Sequence, residues 1–101
     1  MATLNDFLDS MQKGSVPARI PAPLEALWHE GCGDWKRAHE TVQGDSTIEA
    51  ARVHAYLHRK EGDLANAGYW YRRAGRQIAT ASLEDEWHEI VNALIVSRGK
   101  G

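Results

Sequence analysis

The sequence has little cysteine or proline and no long apolar run. A single cysteine, Cys32, excludes an internal disulfide bond, so a reducing cytoplasm is the expected compartment. No apolar stretch approaches the roughly 20 residues needed to cross a bilayer, and no basic segment leads into an apolar one near the first residue. We therefore expect neither a membrane span nor a signal peptide. All three prolines fall within residues 15–23, which predicts a loop there.

The net charge is also small. The formal charge of −2 argues against a general binder of nucleic acid or of anionic membranes. The charges are nevertheless unevenly placed along the chain. Residues 52–76 contain six basic and two acidic side chains, whereas residues 84–89 contain four acidic side chains and no basic one. We expect these two segments to pair with each other or to face solvent.

The apolar residues recur with a helical period almost throughout, and no segment alternates as a strand does. A chain of 101 residues is long enough for one modest core but not for a second. We therefore predict a single all-α domain, 1–101, with about six short helices. Two stacked helix-turn-helix hairpins would be flanked by an N-terminal and a C-terminal helix, and residues 98–101 are expected to fray.

Capping residues predict where several helices begin and end. Thr3 and Gly14 bracket the first helix, and Asp34 suits the start of the third. Ser46 has capping-box spacing to Glu49 and is expected to begin the fourth helix. The fifth helix, capped by Asp63, is expected to bury five side chains: Leu64, Ala67, Tyr71, Ala74 and Ile78.

An internal repeat relates two parts of the chain at an offset of 29 residues (55 − 26). The matching positions are Ala26/Ala55, His29/His58, Gly33/Gly62, Asp34/Asp63 and Ala38/Ala67. Each unit reads as a helix, a turn that glycine permits, an aspartate cap and a second helix whose alanine allows close packing. The units, about 24–43 and 47–76, must stack because neither hairpin buries its apolar face alone.

These hairpins resemble tetratricopeptide-like repeats, particularly the Sel-like subclass. The resemblance is carried by the Gly-Asp-x-x-x-Ala turn and by the following run Tyr69–Ala74 (Tyr-Trp-Tyr-Arg-Arg-Ala). It implies a scaffold that binds other proteins through stacked helix pairs. The stretch His54–Arg76 is also similar to a signature of a family of small uncharacterised proteins, a similarity that implies no activity.

Four histidines form the first candidate site: His29, His39, His54 and His58. His54 and His58 are four residues apart, so they lie on one side of a helix, beside its buried face. Stacked hairpins would bring imidazoles of both units together. Zinc needs three or four ligands, and the pair supplies two; the third would be His39, His29 or Cys32. Histidines hydrogen-bonded to backbone or carboxylates, without any metal, are the favoured alternative.

The second candidate site is an aromatic and cationic set on the fifth helix: Tyr69, Trp70, Arg72, Arg73 and Arg76. Arginine offers a bidentate fork and tyrosine a stacking surface, so this face suits phosphate, carboxylate or nucleobase groups. The favoured alternative has arginine stems covering the aromatic rings and pairing with nearby acidic residues, namely Glu84, Asp85, Glu86 or Glu89.

No catalytic pattern is recognisable in the sequence. It contains no glycine-rich phosphate loop, nucleophile elbow or paired-carboxylate arrangement. Cys32 lies in a turn near His29, but no oriented Cys–His–carboxylate triad can be read from the spacing. An enzyme is therefore not the expected class, and no catalytic residue is assigned.

The resulting prediction is a non-enzymatic helical-repeat module in the cytoplasm that binds a protein or peptide partner. The alternative is a domain that binds a small anionic ligand or a transition metal in a pocket lined by histidine, arginine and aromatic side chains. No cofactor is required by the first hypothesis. Nucleic acid is not an expected partner, and the sequence is compatible with a monomer or a homodimer.

Overall fold

The computed structural model describes residues 3–99, which fold entirely as helices joined by turns and loops. This confirms the predicted all-α class, with six helices and no strand among the described residues. The helices are α1 (Leu4–Lys13), α2 (Ala22–Gly31), α3 (Trp35–Val42), α4 (Ile48–Glu61), α5 (Leu64–Arg73) and α6 (Leu83–Gly99).

The helix ends follow the capping residues closely. The side chains of Thr3, Asp34 and Asp63 each accept a hydrogen bond from the backbone N–H three residues later, which satisfies one orphan donor of the first turn. Gly14 and Gly62 end α1 and α4 with φ of 69° and 88°, a conformation that glycine adopts without a steric penalty. These predicted boundaries are confirmed.

The start of α4 differs from the prediction by one residue. Thr47, and not Ser46, is the N-cap, and its hydroxyl accepts a hydrogen bond from the Ala50 N–H. A carboxylate oxygen of Asp45 accepts from the Thr47 N–H at 2.9 Å, which fixes the turn before the helix. The shift places Ala50, and not Glu49, at the third helical position, so the predicted capping box does not form.

Two helical hairpins make up the centre of the molecule. α2 packs against α3, α4 packs against α5, and α3 joins the two hairpins by packing against α4. The turns are equivalent: Asp34 N–H donates to the His29 carbonyl and Asp63 N–H donates to the His58 carbonyl, each at 2.9 Å. The sequence repeat therefore corresponds to a repeated turn geometry, while the likeness to tetratricopeptide repeats stays a prediction.

The main core lies between the hairpins and the two flanking helices. Side chains from α1, α2, α3, α4 and α6 form one buried cluster, in which Phe7, Leu27 and Ile90 are fully buried. The Trp87 indole N–H donates to the Leu27 carbonyl at 3.0 Å and so ties α6 to the first hairpin. A smaller cluster holds Tyr71 of α5 against α4.

Two side chains predicted to point inward from the fifth helix lie outside. Leu64 is 66% exposed and Ile78 is 59% exposed, whereas Ala67, Tyr71 and Ala74 are buried as predicted. Leu64 is the first residue of α5 and directly follows its N-cap, Asp63, at the turn end of the hairpin. Ile78 lies in the non-helical segment after α5, which ends at Arg73, so the helical spacing that predicted an inward position does not apply to it.

The C-terminal helix extends into the segment 98–101 that was predicted to fray and includes its first two residues. α6 includes residues up to Gly99, while Lys100 and Gly101 lie outside the described residues, as do Met1 and Ala2. Among residues 3–99, no helix combines the length and the apolar character that a bilayer span requires.

Candidate functional site

Three histidines meet where α3 packs against α4. His39 comes from α3, and His54 and His58 come from successive turns of α4. One ring nitrogen of each lies within 4.8 Å of those of the other two. The convergence expected from stacked hairpins is therefore present, and it involves one histidine from the first unit and two from the second.

The packing of α3 against α4 places these rings. Ala38 and Val42 of α3 are fully buried, so the two helices approach closely beside the cluster. The Trp35 indole N–H donates to the Leu57 carbonyl at 2.8 Å, which holds the start of α3 on α4. Because His54 and His58 are spaced i, i+4, both rings project toward this junction.

His54 is the most enclosed of the three and has one unsatisfied nitrogen. Its Nε2 lies 3.2 Å from the Val42 carbonyl oxygen, which only accepts, so Nε2 carries the proton. Its Nδ1 then presents a lone pair, and this atom is buried without a hydrogen-bond partner. The residue is 3% exposed. A buried polar atom without a partner is uncommon in folded proteins, so this nitrogen is the most distinctive feature of the cluster.

Trp70 of α5 covers His54. The two ring centroids are 4.1 Å apart with an interplanar angle of 13°, a stacked arrangement. The Arg73 guanidinium carbon lies 5.4 Å from the Trp70 ring centroid. The aromatic ring restricts the orientation of His54, and the second hairpin thus contributes to the site beyond its histidines.

His58 is oriented by a carboxylate. Its Nδ1 lies 2.7 Å from Glu61 Oε1, and because an ionised carboxylate only accepts, Nδ1–H is the donor. The other nitrogen, Nε2, is then left with its lone pair. A histidine that donates one N–H to a carboxylate and offers the opposite nitrogen is the usual arrangement around protein-bound zinc.

His39 completes the cluster from the opposite helix. Its ring stacks on Trp35 with centroids 5.2 Å apart and an interplanar angle of 7°. It meets His54 and His58 edge-on, with centroid separations of 5.2 Å and 5.4 Å. Two tryptophans therefore bracket the three imidazoles, one from each hairpin.

The environment favours neutral imidazoles. Desolvation by burial lowers the pKa of His54, and the neighbouring His39 and His58 lower it further, partly offset by the Val42 hydrogen bond. Desolvation and the nearby His58 also lower the pKa of His39. The lowered pKa values favour the neutral form of His39 and His54 near neutral pH, and neutral imidazole is the form that can coordinate a metal ion.

The donor set fits a transition-metal ion. Zinc–nitrogen bonds of about 2.0–2.1 Å in a tetrahedron place ligand nitrogens roughly 3.4 Å apart. The three nitrogens lie within 4.8 Å of one another, so they would move closer together to bind one ion. Three imidazoles leave the fourth position of a tetrahedral ion for water or for an added ligand.

Comparisons with known proteins add no relative to this geometry. No protein-family model, curated protein or solved structure matches this chain. The interpretation of the site therefore depends on the contacts of its own residues.

The other predicted metal ligands lie outside the cluster. His29 is buried on α2, where its Nε2 lies 3.1 Å from a Glu25 carboxylate oxygen and its ring meets Trp28 edge-on. Cys32 is exposed, and it belongs to no convergent group of ligating side chains among residues 3–99. His29 is thus a histidine satisfied by a carboxylate, as the alternative interpretation predicted, and the third nitrogen comes from His39.

The aromatic and cationic set of α5 is only partly joined to the site. Trp70 stacks on His54, and Arg73 donates to the Tyr69 hydroxyl at 3.2 Å. Arg72 and Arg76 are exposed, with Arg76 close enough to Arg52 to lower its pKa, after the larger effect of burial. The arginine covering of aromatic rings was predicted, and Arg73 confirms it.

The predicted pairing of the basic and acidic segments is also present, through different arginines. Arg59 donates to Glu86 at 2.8 Å and Arg52 donates to Glu89 at 3.4 Å. Both arginines belong to α4, and none of the arginines of residues 72–76 is paired with these glutamates. The predicted pairing of Arg72, Arg73 or Arg76 with the acidic segment was wrong. Because α6 packs against α4, Arg52 and Arg59 of α4 are the arginines that reach its glutamates.

Sequence reasoning missed Glu61 as part of the site. The i, i+3 spacing from His58 is its only sequence signal, and a glutamate near a helix end is common. Glu61, His58 and Asp63 also form a second group of neighbouring ligating atoms. In that group Asp63 already caps α5 through the Asn66 N–H and side chain, which explains its position without a metal.

Proposed function

We propose that this protein binds one divalent transition-metal ion, with zinc the best fit, through His39, His54 and His58. Two observations carry the proposal: the Nδ1 of His54 is buried without a partner, and one ring nitrogen from each of the three histidines lies within 4.8 Å of the other two. A metal ion supplies the missing partner for that lone pair. Without any partner, a buried polar atom of this kind lowers the stability of the fold by about 1–3 kcal/mol.

The chemistry of the ligands supports zinc over the hard cations. Calcium and magnesium prefer oxygen ligands, whereas imidazole nitrogen suits zinc, copper, nickel and cobalt. The hydrogen bonds that His54 donates to Val42 and that His58 donates to Glu61 hold the rings with the opposite nitrogens available. Metal-binding histidines normally donate the N–H that faces away from the metal to a carbonyl or a carboxylate, as His54 and His58 do here.

The expected role of the ion is to tie the hairpins together. His39 lies on the first hairpin, and His54 and His58 lie on the second. A shared ion would therefore link α3 to α4 across the interface between repeat units. Its binding free energy would add to the stability of the fold, because the unfolded chain does not keep the three nitrogens together.

Metal titration of the tag-free protein tests the proposal. After treatment with a chelator and its removal, zinc binding is measured by competition with a chromophoric chelator. Cobalt is measured through the visible absorption of its tetrahedral complex. We expect one ion per chain, and we expect His54→Gln to weaken binding by more than the 10–100-fold typical of an outer-sphere partner.

His88→Gln provides the matched control. His88 lies on α6, where its Nδ1 donates to the Glu84 carbonyl, and it belongs to no group of convergent ligating side chains in the described residues. The control variant should bind zinc as the unchanged protein does. Equal losses in His54→Gln and His88→Gln, or the absence of a one-to-one complex, would refute the proposal.

A second proposed function is the binding of a protein or peptide partner by the outer face of the second hairpin. Tyr69 is 44% exposed and carries Arg73 against its ring, while Leu64 and Ile78 are also exposed. Exposed apolar and aromatic side chains of this kind often mark interaction sites. The test is recovery of a stoichiometric partner that Tyr69→Ala or Arg73→Ala abolishes and that Arg37→Ala leaves unchanged.

A further inference from the structure

An open cavity at the surface, lined in part by Tyr56 and Lys60 of α4, lies away from the three clustered histidines. It is open to solvent and has a volume of about 350 Å³, a size suited to a small organic molecule, and its walls are mainly apolar. Leu8, Met11 and Trp87 supply apolar surface, and none of the three clustered histidines lines it. The cavity is therefore independent of the proposed metal site.

Glu30 is the buried polar group of this cavity. Its side chain is 2% exposed, which is unusual for a carboxylate. One oxygen accepts a hydrogen bond from the Tyr56 hydroxyl at 3.3 Å, and the other accepts from the Lys60 ammonium. Each carboxylate oxygen has two acceptor sites, so both retain capacity for a further donor.

The ammonium group of Lys60 occupies the position beside Glu30 where a positive charge binds. It is the sole lysine or arginine that lines the cavity within the described part of the chain, and its side chain is 44% exposed on a flexible stem. The stem allows Lys60 to move into solvent when another cation approaches Glu30. Two carboxylates, Glu30 and Glu84, then face the cavity with no arginine to balance them.

The hydroxyl of Tyr56 keeps its proton in this environment. Burial, the charge of Glu30 and the hydrogen bond to Glu30 all raise the pKa of Tyr56 far above its ordinary value. Its hydroxyl therefore remains a donor to Glu30. With Trp87 it also presents an aromatic wall beside the carboxylate, and aromatic rings attract cations.

We propose that this cavity binds a small organic cation, a primary amine with an apolar body, whose ammonium group takes the place of Lys60 on Glu30. The apolar body would lie against Trp87, Met11 and Leu8. An organic anion is disfavoured because its charge would face two carboxylates. The inference does not depend on a metal at the histidine cluster.

Titration with phenethylamine tests the proposal, with 3-phenylpropionate as the charge-reversed control. The indole N–H resonance of Trp87 reports the cavity, and that of Trp35 reports the histidine cluster. We expect phenethylamine to shift the Trp87 resonance with saturation in the millimolar range while leaving Trp35 unchanged. The anion should shift neither.

Two substitutions sharpen the test in opposite directions. Glu30→Gln should weaken phenethylamine binding about tenfold or more, because a charge-assisted hydrogen bond is lost. Lys60→Met should strengthen it, and phenethylamine should raise the melting temperature of this variant more than that of the unchanged protein. In Lys60→Met the Glu30 carboxylate has lost the ammonium group that paired with it, and bound phenethylamine supplies a replacement.

Glu89→Gln, which changes an exposed glutamate outside the cavity, is the matched charge control and should bind phenethylamine normally. If Glu30→Gln does not fold, Leu83→Trp obstructs the cavity rim while keeping the carboxylate, and it should also weaken binding. Tighter binding of the anion than of the amine would overturn the proposal. The proposal would also be overturned if neither Glu30→Gln nor Leu83→Trp reduced the affinity for phenethylamine. The absence of a saturable shift of the Trp87 resonance would overturn it as well.

Discussion

The ring of Trp70 lies nearly parallel to that of His54, with centroids 4.1 Å apart, and so forms a wall of the histidine cluster. This contact joins α5 to a site whose ligands come from α3 and α4. The tryptophan has no ligating atom of its own. It acts on the site only by fixing the orientation of the most deeply buried imidazole.

Substitution of Trp70 separates orientation from ligation. We expect Trp70→Ala to weaken zinc binding about tenfold, since it frees His54 while retaining all three nitrogens. Trp70→Phe keeps an aromatic ring against His54 and should retain most of the affinity. Chelator competition measures both, and unchanged affinity in Trp70→Ala would show that the stacking does not support the site.

Glu61 provides a second test of outer-sphere support. Glu61→Gln removes the charge that orients the Nδ1–H of His58 while preserving an acceptor oxygen. We expect zinc affinity to fall between about 10-fold and 100-fold, the usual effect of losing a carboxylate behind a metal-bound histidine. Glu49→Gln, an exposed substitution in the first turn of α4, is the charge control. A larger loss in the control than in Glu61→Gln would contradict this assignment.

The buried histidines predict a pH dependence for the metal-free protein. The pKa values of His54 and His39 are lowered from the ordinary value of 6.5, so the unfolded chain binds protons more readily than the folded one. Their contribution to stability is present above pH 6.5 and is lost as the pH falls through the lowered values. Denaturant unfolding at several pH values measures this decline.

The double variant His39→Gln, His54→Gln should show a shallower loss of stability over that pH range. His88→Gln should keep the full pH dependence. Identical pH profiles for the double variant and the unchanged protein would exclude these two histidines as its source. Added zinc should steepen the profile, because protons compete with the metal for the same nitrogens.

The buried Glu86 predicts an unequal response to two substitutions. It accepts hydrogen bonds from the Tyr71 hydroxyl at 2.5 Å and from Arg59 at 2.8 Å. Glu86→Ala should lower the free energy of unfolding by about 3–5 kcal/mol, because Arg59 loses its buried partner. Tyr71→Phe should lower it by about 2 kcal/mol, the loss of one hydrogen bond to a charge.

Glu89→Ala is the comparison for Glu86→Ala, since Glu89 pairs with Arg52 at the surface and its side chain is 64% exposed. Its effect on the free energy of unfolding should stay below about 1 kcal/mol. Thermal or denaturant unfolding of the three variants measures the differences. A loss for Glu89→Ala as large as that for Glu86→Ala would contradict the distinction between the buried and the exposed pair.

Most of the fold was predictable because its signals are local. Asp34 and Asp63 cap the helices that follow them, and Gly62 ends α4, as the residue types alone indicate. The errors arose where two similar residues competed or where packing decided the outcome. Ser46 and Thr47 are both good caps, and the hydrogen bond from Thr47 N–H to Asp45 favours the second.

The histidine cluster was only half predictable. The i, i+4 spacing placed His54 and His58 together, but three residues competed for the third position. The choice of His39 over His29 depends on how the two hairpins pack, and helical spacing carries no information on that. The unsatisfied Nδ1 of His54 likewise follows from the position of the Val42 carbonyl, which no residue type specifies.

The hydrogen bond between Trp87 and Leu27 joins residues 60 positions apart in the chain. Each hairpin, by contrast, closes over a turn of a few residues. Local contacts form sooner than distant ones because less chain entropy is lost on closing a short loop. We therefore expect the docking of α6 to be the slow step of folding. A substitution that weakens its contacts, such as Trp87→Phe, should lengthen the time in which the hairpins exist with an uncovered core.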